Sequence, residues 1–248
     1  MAFHGILPHE HEHEDVDGVG TNPAQPLDNP VWASLSGPHA RFAIARADVL
    51  RYQPEVASFV GLPEQPGPTA WADLAHLAGP GAVVAIFQPG LDPPGDWEVV
   101  LRGKGVQMVG TGLDGAAEPE AVVLGPADVP EMLDLVARTK PGPFLPRTIE
   151  LGTYLGFRER GGLIAMAGER LHPPGWTEIS AVCTDPDHRG RGLATRLVRA
   201  LGAGIRGRNE IPFLHAASTN TTAIRLYVEL GFTVRRTVSF LAVRVPPD

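Results

Sequence analysis

The chain has 248 residues, enough for one large domain or two small ones that each bury a core. Its formal charge of −7 argues against general nucleic-acid binding, and no segment approaches the ~20 apolar residues of a membrane span, so a soluble protein with no membrane contact is expected. The single cysteine excludes an internal disulfide and favours a reducing, cytoplasmic compartment.

Residues 1–29 are polar and read as a disordered tail. In it His9, His11 and His13 alternate with acids, but nothing nearby preorganises them, so no metal site is expected. Residues 30–115 read as a smaller α/β domain without a cofactor signature of its own. Ala40–Ala45 and Ala82–Phe87 have strand character, and Trp71–Leu77 has helical character with Thr69 as its cap. Arg102-Gly103-Lys104-Gly105 follows a strand-like run, but Val106–Gly112 behind it is β-branched and punctuated by glycine. No helix start is expected there, and the stretch reads as a hairpin or loop. The domain boundary is placed within Gly110–Pro119, with a second α/β domain over 118–248. Element type alone suggests that the first domain is a degenerate repeat of the second.

In the second domain a helix over Val129–Ala137 is followed by strands at Leu151–Phe157, Gly162–Ala167 and Thr177–Thr184. Asp185-Pro186-Asp187 then breaks the last strand, and Arg189-Gly190-Arg191-Gly192-Leu193-Ala194 opens a helix whose Leu193, Leu197, Val198 and Leu201 form one apolar stripe. A helix starting near Gly190 leaves its first amides unpaired, beside glycines that admit a ligand and arginines that add positive charge. That combination fits a polyanion. The run lacks the Gly-Lys-Ser/Thr ending of a P-loop and the Gly-x-Gly-x-x-Gly of a dinucleotide turn. Of the neighbouring arginines, Arg196 and Arg199 read as a solvated helix face, which leaves Arg189 and Arg191 as phosphate partners. Downstream, Phe213–Ala217 reads as a strand, Ser218-Thr219-Asn220 as a cap, and Ala223, Leu226, Tyr227 and Leu230 as a helical stripe ended by Gly231. Val234–Val243 is a last strand that either completes the sheet or exchanges between subunits, so a homodimer stays open.

Arg189-x-x-Gly192-x-Ala194 after a strand resembles the pyrophosphate-binding signature of the GNAT superfamily of acetyl-CoA-dependent N-acetyltransferases. Asn220-x-x-Ala223-x-x-Leu226-Tyr227-x-x-x-Gly231-Phe232 resembles the second signature of the same family. The resemblance covers about Ala121–Val245 and implies a mixed α/β (α+β) sheet, acetyl-CoA as cofactor and CoA as product. It further implies direct transfer of an acetyl group to a primary amine of a small molecule, amino acid or peptide. On that basis Arg189, Gly190, Arg191, Gly192, Leu193 and Ala194 hold the pyrophosphate. The backbone of Val182, Cys183 and Thr184 holds the pantetheine arm and polarises the thioester, and Asn220 and Tyr227 also contact the cofactor.

Strand alternation places Glu178 on one face with Ser180 and Val182, which makes Glu178 the expected general base, with Glu169 in reserve. The resemblance makes Tyr227 the acid that protonates the departing thiolate. It maps the acceptor wall to Phe144, Leu145, Arg147, Thr148 and Tyr154, with Arg147 suited to an acceptor carboxylate. Cys183 has no adjacent histidine or lysine to lower its pKa, so a buried structural thiol is expected and not a nucleophile. His188 reads as exposed at the mouth of the cradle. A non-catalytic acyl-CoA sensor or scaffold is the alternative from another class.

Overall fold

The computed structural model describes residues 25–88 and 90–247. Within them the helices are α1 (Pro30–Leu35), α2 (Pro68–Ala78), α3 (Val129–Thr139), α4 (Leu193–Gly207) and α5 (Thr221–Glu229). The strands are β1 (Ala43–Arg46), β2 (Val49–Tyr52), β3 (Val60–Gly61), β4 (Val83–Ile86), β5 (Glu98–Val109), β6 (Val122–Val123), β7 (Tyr154–Glu159), β8 (Gly162–Glu169), β9 (Trp176–Thr184), β10 (Ile211–Ala217) and β11 (Thr233–Arg244). β1–β3 form a small antiparallel sheet. The other eight make one mixed sheet in the order β4-β11-β5-β10-β9-β8-β7-β6. Its β9–β10 pair is parallel, as a strand-helix-strand crossover through α4 requires.

The local elements follow the side-chain periods. In α4 Leu197, Val198, Leu201 and Ile205 are all but fully buried and repeat on one face, each contributing roughly 1.5–3 kcal/mol by leaving water. Asn220 caps α5 by accepting from the Ala223 amide at 3.2 Å. β11 completes the large sheet and does not leave the chain, pairing with β5 along its length and with β4 at its end.

Four expectations about the upstream half are corrected. Arg102–Gly105 is not a hairpin: it lies inside the twelve-residue β5, where Gly105 has the Phe240 ring and the Ala216 carbonyl pressed against it and only a glycine fits. β5 in turn lies between β10 and β11, so Gly110–Pro119 does not divide the sheet. Residues 25–29 of the expected tail are ordered by burial and pairing. Leu27 is buried, Asp28 pairs with Arg235 and Arg236, and Asn29 donates to the Leu62 carbonyl. The His9, His11 and His13 run lies outside the described residues. Helix α2 starts one residue before Thr69, with Gly67 at its cap.

The sheet therefore has two differently covered faces. On β10, Leu214 and Ala216 join the core under α4 and α5, while Phe213 joins a second core built with Leu27, Val31, Leu35, Phe42, Tyr52 and Phe59. β9 follows suit: Ile179 packs on the α4 side and Trp176 on the upstream side.

Candidate active site

β9 and β10 stay paired only from Trp176 to Glu178 against Ile211 to Phe213, and then diverge. A bulge begins the divergence. β9 fits two residues, Ala181 and Val182, against the single Ala167 of β8, with Ala181 held at φ +52°. The splayed strands leave a cavity of about 400 Å³, walled by Ile179–Thr184 of β9, His215–Ala217 of β10, Asn220, Ala223 and Tyr227 of α5, and Thr139–Pro141 after α3, with Arg170 and Arg189 at its edges. A broader depression of about 670 Å³ beside Trp71 and Trp97 shares no lining residue with this cavity.

The cradle forms at the glycine turn that the sequence marks. Gly190 and Gly192 adopt φ of +76° and +70°, which a residue with a Cβ reaches only with strain, and no side chain caps α4. The Arg196 amide closes the first turn onto the Gly192 carbonyl, so the amides of Leu193, Ala194 and Thr195 face out of the helix end. Of the four nearby arginines, Arg191 pairs with Glu159 at 3.0 Å, Arg196 with Glu118 and Glu120, and Arg199 with Asp114. Arg189 alone of these has no carboxylate partner among the described residues, and it lines the cavity. His188 is held by Glu159 at 3.0 Å. The positive charge of the cradle is therefore concentrated on Arg189 and the helix end. The arginines of α4 instead fasten the 113–120 connection.

Val182, Cys183, Thr184, Asn220 and Tyr227 all line the cavity. Burial pushes the Tyr227 hydroxyl up to about 12, so it stays protonated near neutrality. Burial likewise lifts the Cys183 thiol, to about 11 against a small opposing hydrogen bond from Thr139, so it stays a thiol.

Glu178 does not have the surroundings of a free base. It is fully buried, does not line the cavity, and faces the upstream layer, while the bulge turns Val182 to the α4 side. Its Oε2 accepts from Arg170 Nε at 2.7 Å, and its Oε1 accepts from Arg170 Nη2 at 2.7 Å and His215 Nδ1 at 2.7 Å. Burial alone would raise this carboxyl, but the Arg170 charge and the three hydrogen bonds outweigh it and hold it at about 2. A carboxylate so stabilised accepts a proton poorly. Glu169, the reserve, is bound by Arg208 and by the Thr153 amide.

The expected acceptor wall is also corrected. Arg147 forks onto Glu150 and reaches Gln53, at the surface and away from the cavity. Thr148 is buried, donating to the Val56 carbonyl and accepting from the Leu145 amide. Phe144 and Tyr154 stack edge to face inside a core with Met132 and Met166, and the Tyr154 ring lies over Gly168, where no Cβ fits. Phe144, Thr148 and Tyr154 serve packing, and Arg147 serves a surface ion pair. The cavity takes Thr139, Lys140, Pro141, Arg170 and His215 instead.

Beneath His215 lies a residue that sequence reasoning missed. Gln107 of β5, 1 % exposed, donates through Nε2 to the Leu27 carbonyl at 2.9 Å and meets His215 Nε2 at 3.1 Å, while its oxygen accepts from Arg235 at 2.8 Å. With the amide oriented by Arg235, His215 Nε2 is the acceptor and its proton sits on Nδ1, aimed at Glu178. Phe87 stacks on the imidazole at 5.5 Å, and Arg170 lies over the Phe59 and Phe87 rings. The signal available in the sequence was the pair of opposite charges, Arg170 and Glu178, flanking a β-hairpin connection. Nothing local marked Gln107.

Among the described residues no group of three or more metal-ligating side chains forms, and no helix is long and apolar enough to cross a membrane. Residues 154–241 match the family model described as FR47-like protein. A solved GNAT-family protein from Novosphingobium aromaticivorans DSM 12444 is 40 % identical, with a TM-score of 0.81 over 88 % of this chain and 97 % of its own. A GCN5-related N-acetyltransferase from Kribbella flavida shares the fold at 16 % identity, with a TM-score of 0.58 over 90 % of this chain and 96 % of its own. The N-alpha-acetyltransferase RimI of Mycobacterium tuberculosis (strain ATCC 25618 / H37Rv) is 37 % identical over 82 residues. That match takes in 32 % of this chain and 51 % of RimI, so the chain spans about half that relative's length.

Proposed function

The chain belongs to the GNAT superfamily, and we propose that it is an acetyl-CoA-dependent N-acetyltransferase acting on a primary amine by direct attack. One observation carries the reading. The cavity between β9 and β10 runs from Arg189, three residues before Gly192 at the uncapped start of α4, to a protonated tyrosine on α5, while Gly190–Ala194 lie outside its lining. A CoA pyrophosphate suits the helix end and Arg189, and the pantetheine arm suits the free backbone of Val182–Thr184 and the side chain of Asn220.

When bound, acetyl-CoA supplies the acetyl thioester. The backbone at the β9 bulge polarises the carbonyl, and Tyr227 gives its hydroxyl proton to the departing sulfur, which its raised pKa allows without prior ionisation. Among the described residues no aspartate or glutamate lines the cavity. The amine therefore reacts as its free base and sheds its second proton to water. Cys183 takes no covalent part. Such an enzyme has kcat/KM rising with pH up to the acceptor's own pKa, near 8 for an α-amino group.

The test is release of free CoA thiol across a panel of primary amines, run beside calorimetry with acetyl-CoA. Thiol release that depends on one amine class supports the enzyme. Tight acetyl-CoA binding without thiol release from any amine would make the protein a sensor.

A further inference from the structure

We propose that Arg170 sets acceptor specificity by donating from Nη1 to an uncharged carbonyl oxygen, so that amines carrying an amide carbonyl are favoured over free amino acids. The inference rests on the acetyltransferase reading of the same cavity and adds the chemistry of its inner end. Nε and Nη2 of Arg170 are spent on the two oxygens of Glu178. Nη1 has no hydrogen-bond partner among the described residues, yet it is not sealed from solvent as an orphaned buried atom would be, and Arg170 lines the cavity. An edge of the guanidinium is therefore presented to whatever occupies that end. Its side chain is otherwise fixed, 9 % exposed and lying over Phe59 and Phe87.

The charge balance decides which oxygen fits. Arg170 and Glu178 cancel inside a buried unit, and the His215 imidazole adds a donor already committed to Glu178. A second carboxylate placed against Nη1 would give one guanidinium two buried anions and leave a net negative charge out of water, which costs more than one added ion-pair contact returns. A carbonyl oxygen accepts the same N–H without adding charge. The remaining cations of the cavity, Lys140 and Arg189, are exposed, and Arg189 lies at the cofactor end, so neither supplies a buried counter-charge for a carboxylate. Glu178 is thus a positioning residue that sets the sign of the site.

The experiment compares kcat/KM for matched pairs, each free α-amino acid against its amide, in the wild-type full chain, in Glu178→Gln and in Arg170→Lys. Wild type should prefer amides by about tenfold or more, the worth of one hydrogen bond from a charged donor. Glu178→Gln leaves Arg170 as an uncompensated cation, and the ratio should swing toward the free acids by about tenfold or more. Arg170→Lys keeps the charge but loses the fork, and the ratio should collapse toward one. Each ratio is taken on one sample, so partial loss of fold does not move it, and its change between variants is free of the basicity difference between amines. A wild-type preference for free acids, or a ratio that neither substitution moves, would overturn the inference. Loss of both acceptors alike in both variants would reduce Arg170 and Glu178 to structural roles. If no amine gives thiol in the wild type while acetyl-CoA still binds, the acetyltransferase reading falls, and this inference with it.

Discussion

The two ends of the cavity are built by different means. At the cofactor end, the bulge at Ala181, the turn at Gly190–Gly192 and the starts of α4 and α5 come from short stretches whose neighbours in space are neighbours in sequence. At the inner end, Arg170, Glu178 and His215 are fixed by Gln107, Leu27 and Phe87, which lie tens of residues upstream. Local backbone geometry makes the proposed cradle. A buried network assembled from distant segments makes a fixed electrostatic floor.

That contrast is sharpest where the floor is broken. Arg170→Met should destabilise the protein by about 3–5 kcal/mol at pH 7, because it strands the Glu178 carboxylate in the core. Denaturant midpoints would measure it. In that variant burial raises the folded-state pKa of Glu178 above its unfolded value, so the deficit should shrink as pH falls and the acid is protonated. A deficit under about 1 kcal/mol would mean the pair is not buried as described.

A second probe is acid. Burial foremost, then His172, holds His39 down at about 3 in the folded state against 6.5 unfolded, and the Glu178 carboxyl sits at about 2 against 4.5. Both shifts are downward. The stability they contribute is complete above the unfolded values and is lost as pH falls, first from 6.5 through His39 and then from 4.5 through Glu178, at up to about 1.4 kcal/mol per pH unit for each proton. His39→Gln should make the upper window shallower, leaving the part due to His172, which burial also holds below its ordinary value, and should leave the lower window unchanged, as read by urea denaturation across pH. An unchanged upper window would place its origin elsewhere. Gln107→Leu is a smaller disturbance from the upstream side. It should cost about 1–3 kcal/mol by leaving the Leu27 carbonyl and Arg235 with one partner fewer, while acetyl-CoA affinity holds. A large loss of that affinity would mean the two ends are not separable.

The cofactor end should answer in the opposite sense, with function lost and stability little changed. Tyr227→Phe should lower kcat by about a hundredfold or more with an unshifted melting temperature, as expected for loss of a general acid. An unaltered rate would return Tyr227 to packing. Gly192→Ala forces a Cβ into a left-handed conformation at a cost of about 1–2 kcal/mol and should weaken acetyl-CoA binding beyond that effect on stability.

Legibility in the sequence divides along the same line. β9, α4, β10 and α5 are legible with their glycine turn and cap, because apolar stripes, breakers and glycine turns are written within a dozen residues of one another. Their cavity-lining residues, from Val182 to Tyr227, are legible with them. β5 reads as a hairpin because its glycines serve close packing against Phe240 and Ala216, contacts more than a hundred residues away. Glu178 is placed by strand parity alone, and parity cannot reveal that Arg170 and His215 have already claimed both carboxylate oxygens. Arg147 has the chemistry of a carboxylate receptor, but Glu150, three residues on, occupies its fork. Each failure is a pairing that sequence spacing leaves undetermined.

In the proposed complex the α4 end and Arg189 grip the diphosphate of coenzyme A. Calorimetric titration of CoA into the wild-type chain and into Arg189→Glu tests it most directly. The variant should lose affinity by roughly tenfold or more, growing as ionic strength falls, with the melting temperature of the free protein unmoved. Equal affinity in the two proteins would contradict it.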